Sequence, residues 1–200
     1  MLKNFAYPKK NRKILSTKMS CTLKKLFFVP VILLILGFLI GARTAKDEDS
    51  RLWQTLEAKG DTAFQHYELK NARQYWHASL KENPDNLKCY NKLGISFLVL
   101  KEYDNAVDIL KKGLKRDGNN PALNYNLALA YYYSGNVGMA MEVSEKVLTL
   151  NRYYPQANYL RGLCFEKKGL IEEARAAYVE ELNNNPGSKK AWQKVVKEEL

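Results

Sequence analysis

Three features of this 200-residue sequence predict its architecture: an all-α solenoid of four helix-turn-helix repeats, closed by a C-terminal helix and preceded by one N-terminal transmembrane helix. The chain matches itself at a shift of 34 residues, a period in the range of stacked repeat architectures. Turn and capping residues recur at the joints of those repeats. One long apolar run, residues 26–42, follows the most basic stretch of the chain.

The N-terminal elements come first. Residues 1–25 carry eight basic residues (Lys3, Lys9, Lys10, Arg12, Lys13, Lys18, Lys24 and Lys25) and no acidic one. Residues 51–200 hold 22 Lys/Arg against 18 Asp/Glu, so most of the +11 formal charge belongs to the tail. The folded part is close to balanced, which argues against a nucleic-acid surface. Residues 26–42 read LFFVPVILLILGFLIGA, 17 uncharged residues. As a helix they reach roughly 25 Å, slightly short of a ~30 Å hydrocarbon core. Neither Ala42 nor Ala45 sits in a small–x–small cleavage pattern, because Ile40 and Arg43 occupy the third place back. The sequence favours an uncleaved signal anchor, with a cleaved signal peptide as the alternative. Basic residues before the run, and Asp47, Glu48 and Asp49 after it, put the N-terminus in the cytoplasm and the repeats outside it. Met19 opens a more compact basic region than Met1 does and is an alternative start. A short linker, 43–52, leads into the repeats.

The repeats run 53–86, 87–120, 121–154 and 155–188, with no insertion. Their eighth residues are Gly60, Gly94, Ala128 and Gly162, and their eleventh are Ala63, Phe97, Tyr131 and Phe165. Ala72, Ala106, Ala140 and Ala174 stand at position 20, and Trp76, Leu110, Ser144 and Tyr178 at position 24. Gly135 and Gly169 fall where a helix would end in a left-handed residue. Asn120-Pro121 offers an N-cap followed by proline at the first helical position, and Tyr154-Pro155 repeats the proline. Pro84 and Pro186 occupy position 32.

This pattern resembles the tetratricopeptide (TPR) repeat, with its small residue at 8, aromatic at 11, Ala at 20, large apolar residue at 24 and Pro at 32. The resemblance covers 53–188 and implies pairs of antiparallel helices, A and B, that stack to bury their apolar faces. Two departures are expected to loosen packing locally: Ser79, Gly113, Val147 and Glu181 at position 27, and Arg161 at position 7 of the fourth repeat. Residues 189–200 continue the phase as a capping helix, with Ser188 as N-cap and Ala191, Trp192, Val195 and Val196 as its apolar face.

The resemblance also implies a concave groove lined by positions 2, 5, 9, 12 and 13 of the A helices. Repeat one would supply Glu57, Asp61, Phe64 and Gln65, and repeat two Lys88, Asn91, Ile95, Leu98 and Val99. Repeat three would supply Tyr125, Leu129, Tyr132 and Tyr133, and repeat four Tyr159, Leu163, Glu166 and Lys167. The partner-binding groove expected from these is the apolar and tyrosine-rich set Ile95, Leu98, Val99, Tyr125, Leu129, Tyr132, Tyr133, Tyr159 and Leu163. Of the three consecutive tyrosines, the helical 100° step allows one in the core; position 11 selects Tyr131 and leaves Tyr132 and Tyr133 for the groove.

Co-chaperone TPR domains grip acidic C-termini with Lys and Asn at positions 5 and 9 of one repeat, Asn at 6 of the next, and Lys and Arg at 2 and 6 of the third. Here those positions are Glu57, Asp61, Lys92, Ala122 and Asn126, and all five differ. A carboxylate clamp in this register is not expected. Lys111, Lys112, Lys115 and Arg116 read as a solvated convex face, and Glu172, Glu173, Glu180 and Glu181 as helix-surface charges. Cys21, Cys89 and Cys164 form no CxxC pair, and Cys89 and Cys164 read as small buried side chains. With only His66 and His77 there is little material for a metal site, and no phosphate loop or nucleophile–base constellation occurs, so no cofactor and no catalysis are expected.

The function expected is therefore non-catalytic. A membrane-anchored module would bind a partner's peptide or helix in its groove, in assembling an extracytoplasmic complex. The alternatives are a TPR receptor or structural subunit facing the cytosol, or a groove filled by residues 43–52 or by a second copy in a homodimer.

Overall fold

The computed structural model describes residues 51–197. Among these are nine helices and no strand. They are α1 (51–65), α2 (Leu69–Glu82), α3 (Leu87–Val99), α4 (Tyr103–Leu114), α5 (Pro121–Tyr133), α6 (Val137–Leu150), α7 (Ala157–Lys167), α8 (Ile171–Asn184) and α9 (Lys189–Lys197). The apolar run 26–42 lies outside the described residues, and among the described ones no helix is long and apolar enough to cross a membrane.

The same turn closes every A helix. Backbone N–H groups of Glu68, Glu102, Asn136 and Leu170 donate to the carbonyls of Ala63, Phe97, Tyr131 and Phe165 at 2.9–3.0 Å. One residue earlier, Tyr67, Lys101, Gly135 and Gly169 donate to Phe64, Leu98, Tyr132 and Glu166. This nested pair is the Schellman motif, and it needs a left-handed residue at its centre. Gly135 (φ 87°) and Gly169 (φ 75°) meet that need as expected. Tyr67 (φ 61°) and Lys101 (φ 60°) adopt the same conformation without being glycine. A side chain there costs roughly 1–2 kcal/mol, and glycine's extra unfolded-state freedom gives back about 0.5–1. Lys101→Gly, at an exposed site, is therefore expected to raise stability by about 0.5–1 kcal/mol, read as a higher urea midpoint. A lower midpoint would show that the Lys101 side chain contributes more than the strain removes.

Helix pairs close around positions 8, 20 and 24. The four alanines at position 20 are fully buried. A Cβ on Gly60 would strike the Trp76 ring, one on Gly94 would meet Leu110, and one on Gly162 would meet Tyr178. Repeat three carries Ala128 instead, and there the buried position 24 is Ser144. A larger residue at 8 thus goes with a smaller one at 24, as close packing requires. Cys89 and Cys164 are buried and free, and burial pushes both thiols up to about 11.

Three local expectations need correction. Position 27 does not loosen the stack: Ser79 and Val147 are fully buried, and the bare face of Gly113 lets Tyr90 and Leu123 approach. Glu181 is not a surface charge but only 1% exposed. Its Oε1 accepts from the backbone N–H of Gln156 (3.0 Å), a left-handed residue at φ 65°. That turn delays α7 to Ala157, so Pro155 lies before the helix rather than at its first position. Asn120 does cap α5, accepting from the Leu123 N–H at 3.1 Å with Pro121 next in line. Arg161 is compensated by Glu180 at 2.7 Å.

Helix α9 covers the end of the last repeat with Ala191 fully buried and Val195 and Val196 half-buried. Trp192, expected on that face, is 60% exposed. Spacing of four between Ala191 and Val195 sets the buried stripe, and the next residue is turned about 100° away from it.

Candidate functional site

The A helices α1, α3, α5 and α7 carry the residues expected in the groove, and each successive A helix ties to the one before. At the first joint, Lys92 of α3 inserts its ammonium between two carboxylates of α1, 2.5 Å from Glu57 Oε1 and 2.7 Å from Asp61 Oδ2. The remaining oxygens are also taken: Asn86 Nδ2 donates to Glu57 Oε2 (2.7 Å) and Trp76 Nε1 to Asp61 Oδ1 (3.1 Å). At the second joint, Asn126 Nδ2 donates to Asn91 Oδ1 at 2.6 Å. At the third, the Tyr125 hydroxyl donates to Gln156 Oε1 at 3.3 Å. At the last, Lys194 of α9 reaches both oxygens of Glu166 (2.7 and 2.6 Å), one of which also accepts from the Tyr178 hydroxyl at 2.6 Å.

Electrostatics follow from these contacts. Burial alone would raise the Glu57 carboxyl, but hydrogen bonds from Lys92 and Asn86 override it and hold Glu57 below its ordinary value. Burial opposes the Lys92 charge, yet its bonds to Asp61 and Glu57 win and raise it above the ordinary lysine value. A depressed acid contributes stability that is lost as pH falls through its folded value. A raised lysine contributes stability that is lost as pH rises through its own. The stability gap between wild type and Lys92→Met is therefore expected to be about 1–2 kcal/mol near pH 7, after allowing for the partial exposure of Asp61. It should narrow on acidification below the ordinary Glu57 value of 4.5. Urea titrations at pH 7 and pH 3 measure it; an unchanged gap would mean that the ion pairs contribute nothing.

The aromatic face begins at α5. Tyr125 packs on Tyr154 with centroids 5.2 Å apart, and burial pushes its hydroxyl pKa upward. Tyr132 meets Tyr133 edge-on at 5.4 Å, Tyr133 stacks on Tyr103 at 5.7 Å, and Tyr159 packs on Tyr178 at 5.6 Å. Tyr133 lies near enough to Tyr125, Tyr132 and Tyr159 to oppose the ionisation of those three phenols. Burial is the larger cause in raising Tyr132 and Tyr159.

The nine expected groove residues do not stand equally open. Val99 (57%) and Tyr133 (54%) are exposed, and Ile95, Leu98, Tyr125, Leu129, Tyr132, Tyr159 and Leu163 are half-buried. Leu98, Tyr125, Leu129 and Tyr132 also pack on the core, so part of each belongs to the fold. Clefts lie beside the first repeats: one of about 570 Å³ runs past Trp53, Glu57, Asn86 and Lys88, and one of about 300 Å³ past Phe64, Trp76, Lys92 and Ile95. Tyr133 forms the wall of another cleft with Tyr103 and Ser134.

Sequence reasoning did not foresee that Lys92, Lys194 and Gln156 bond to the expected groove residues, or that Tyr103 stacks on Tyr133. A signal did exist for the lysines. Lys92, Asn126 and Lys194 share position 6 of the 34-residue phase, and each bonds to the preceding A helix.

Comparison with known proteins agrees with this architecture. RNA polymerase II-associated protein 3 of Homo sapiens is 32% identical over 87 residues, 44% of this chain but only 13% of that protein. Its activity and partners as a whole therefore do not transfer. The crystal structure of MamA is similar with a TM-score of 0.62 at 25% identity, over 68% of this chain and 80% of that one. The first TPR domain of Spaghetti bound to the HSP90 peptide SRMEEVD is similar with a TM-score of 0.53 at 28% identity, over 56% and 88%. The tetratricopeptide repeat profile matches residues 57–121 and 125–189, well over half of the chain. With its repeats matched in both halves and its helices paired through four identical turns, the chain belongs to the tetratricopeptide repeat family.

Proposed function

We propose that this protein is a non-catalytic protein–protein interaction module that takes a segment of a partner protein along the face of α3, α5 and α7. The observation that carries the reading is the row of tyrosines there. Tyr132 and Tyr133 follow a core tyrosine without being needed by the repeat, and Tyr133 is more than half exposed. Large aromatic side chains with a polar tip and few torsions are effective contact residues. The Spaghetti domain that binds SRMEEVD supports a peptide as the occupant, though not the same peptide. At the places where an acidic terminus would need cations, this chain has Glu57 and Asp61, already bridged by Lys92.

In the same reading the apolar run 26–42 anchors the module to a membrane, with the repeats on the extracytoplasmic side, in support of an envelope complex. Confinement to a surface raises effective concentration near partners there. The run's length and its flanking charges support this.

The groove is tested by crosslinking pull-downs with wild type and Tyr132→Ala/Tyr133→Ala, with SRMEEVD peptide as a competitor. The double variant is expected to lose its partners while SRMEEVD displaces nothing. Unchanged partners at unchanged thermal stability would refute the site. A reporter active only outside the cytoplasm, fused to the C-terminus, tests the topology; silence from a well-expressed fusion would overturn it.

A further inference from the structure

The last helix of the stack has one bare side. We infer that α9 is the A helix of an unfinished repeat, and that its bare side takes an acidic amphipathic helix of a partner protein, with small residues at i, i+4 and i+7.

Packing inside the chain shows how each side of an A helix is filled. A Cβ on Gly113 of α4 would stand 2.8 Å from the Cβ of Tyr90 in α3 and 3.0 Å from Leu123 Cδ1 in α5. Tyr90 is position 4 of its repeat, and Leu123 is position 3 of the next. A B helix therefore seats between position 4 of its own A helix and position 3 of the following one. Position 8 also faces the helix's own B partner, as Gly94 faces Leu110 and Gly162 faces Tyr178. In repeats two to four the own-partner side is closed: Tyr90, Asn124 and Asn158, all at position 4, are 8%, 2% and 1% exposed.

Helix α9 continues the phase with Ala191 at position 3, Trp192 at 4 and Val196 at 8. Ala191 is fully buried, because α8 lies where the preceding B helix belongs. Trp192, one residue on, is 60% exposed. Among the described residues, no second B helix packs on α9. Trp192 and Val196, four apart on one face, are thus the stripe that an own B helix covers in the repeats before.

Complementarity chooses the occupant. Where position 4 is the large Tyr90, position 27 is Gly113; where it is Asn124 or Asn158, position 27 is Val147 or Glu181. Glycine at 8 goes with Trp76, Leu110 or Tyr178 at 24, and Ala128 goes with Ser144. Trp192 and Val196 are both large for their positions. The helix that fits them carries glycine at 27 and alanine or serine at 24, with alanine at 20 as in all four repeats. A leucine-rich face would collide with the Trp192 ring. Charge sets the rest. Helix α9 reads KKAWQKVVK, four lysines and no acid. Lys194 is bound to Glu166, while Lys189 and Lys190 are exposed. An acidic helix is attracted there, and packed antiparallel it brings its negative C-terminal end towards those lysines. A second copy of α9 would set lysine against lysine.

The test uses the full chain in detergent micelles and three labelled helical peptides of equal length. One has Ala, Ala and Gly at i, i+4 and i+7 among glutamates, the second has leucine at those three places, and the third replaces the glutamates by lysine. Fluorescence anisotropy measures binding to wild type, to Trp192→Ala and to Tyr132→Ala/Tyr133→Ala. The acidic small-residue peptide is expected to bind wild type best. Trp192→Ala, an exposed site whose truncation leaves the fold intact, is expected to weaken it at least about tenfold. The double tyrosine variant should bind it as wild type does, which separates this surface from the groove. Equal binding by Trp192→Ala would overturn the inference, as would preference for the leucine or lysine peptide, or no binding by any of them. Self-association of the full chain that Trp192→Ala abolishes would also overturn it, by giving the bare side to a second copy.

Discussion

Tyr131→Ala is expected to destabilise the protein by about 3–5 kcal/mol, the range for deleting a buried aromatic side chain. Neighbouring Tyr133→Ala is expected to cost under about 1 kcal/mol, as at exposed positions generally. All three tyrosines share one stretch of α5, yet the helical step separates them. Tyr131 is 7% exposed and belongs to the core cluster, with the Lys111 ammonium 5.5 Å from its ring centroid. Its carbonyl also accepts the Asn136 N–H in the turn, but that bond survives the substitution because it is backbone. The loss is thus packing, and no polar partner is left buried and unpaired. Urea midpoints of the two variants measure the contrast. Equal shifts would mean that position 11 does not organise this repeat.

Gly162→Ala is expected to lower stability by about 1–3 kcal/mol even though alanine is the better helix former by about 1. The added Cβ would lie 2.6 Å from Tyr178 Cδ1, 2.9 Å from Cζ and closer still to Cε1. The ring cannot swing aside easily. It is fully buried, Tyr159 packs against it, and its hydroxyl is held by Glu166 at 2.6 Å. Repeat three supplies the control, since Ala128 and the small Ser144 occupy the same two positions there. In a Tyr178→Ser background, Gly162→Ala should therefore become neutral or stabilising, although Tyr178→Ser is itself costly. A double-mutant cycle reads that reversal as a coupling energy. Additive effects would show that the two side chains do not share the space.

The residues behind these expectations differ in how legible they are. Position 11 and position 8 can be read from the 34-residue phase, because each repeat solves the same local packing problem and the solution recurs. Gly135 and Gly169 are legible for the same reason. Tyr67 and Lys101 are not, since composition gives no hint that a bulky residue will take a left-handed φ; only the surrounding hydrogen bonds impose it. Glu181 is invisible as a buried acid because its partner, the Gln156 N–H, lies 25 residues away in another helix's turn. Trp192 reads as apolar, but which side of α9 is covered depends on the repeat beneath it.

The sequence by itself determined the repeat, its period, its core positions and the closing helix, because periodic burial leaves a periodic residue pattern. It also argued against the acidic-peptide clamp by the residues at Glu57, Asp61 and Lys92. Only the tertiary structure decided that those same residues neutralise one another and that Lys194 does the same for Glu166. Hydrogen bonds between side chains of successive helices depend on distances of a few tenths of an ångström, which no residue pattern encodes. The tyrosine face of α5 and α7, where Tyr133 is more than half exposed, is what those internal bonds leave over.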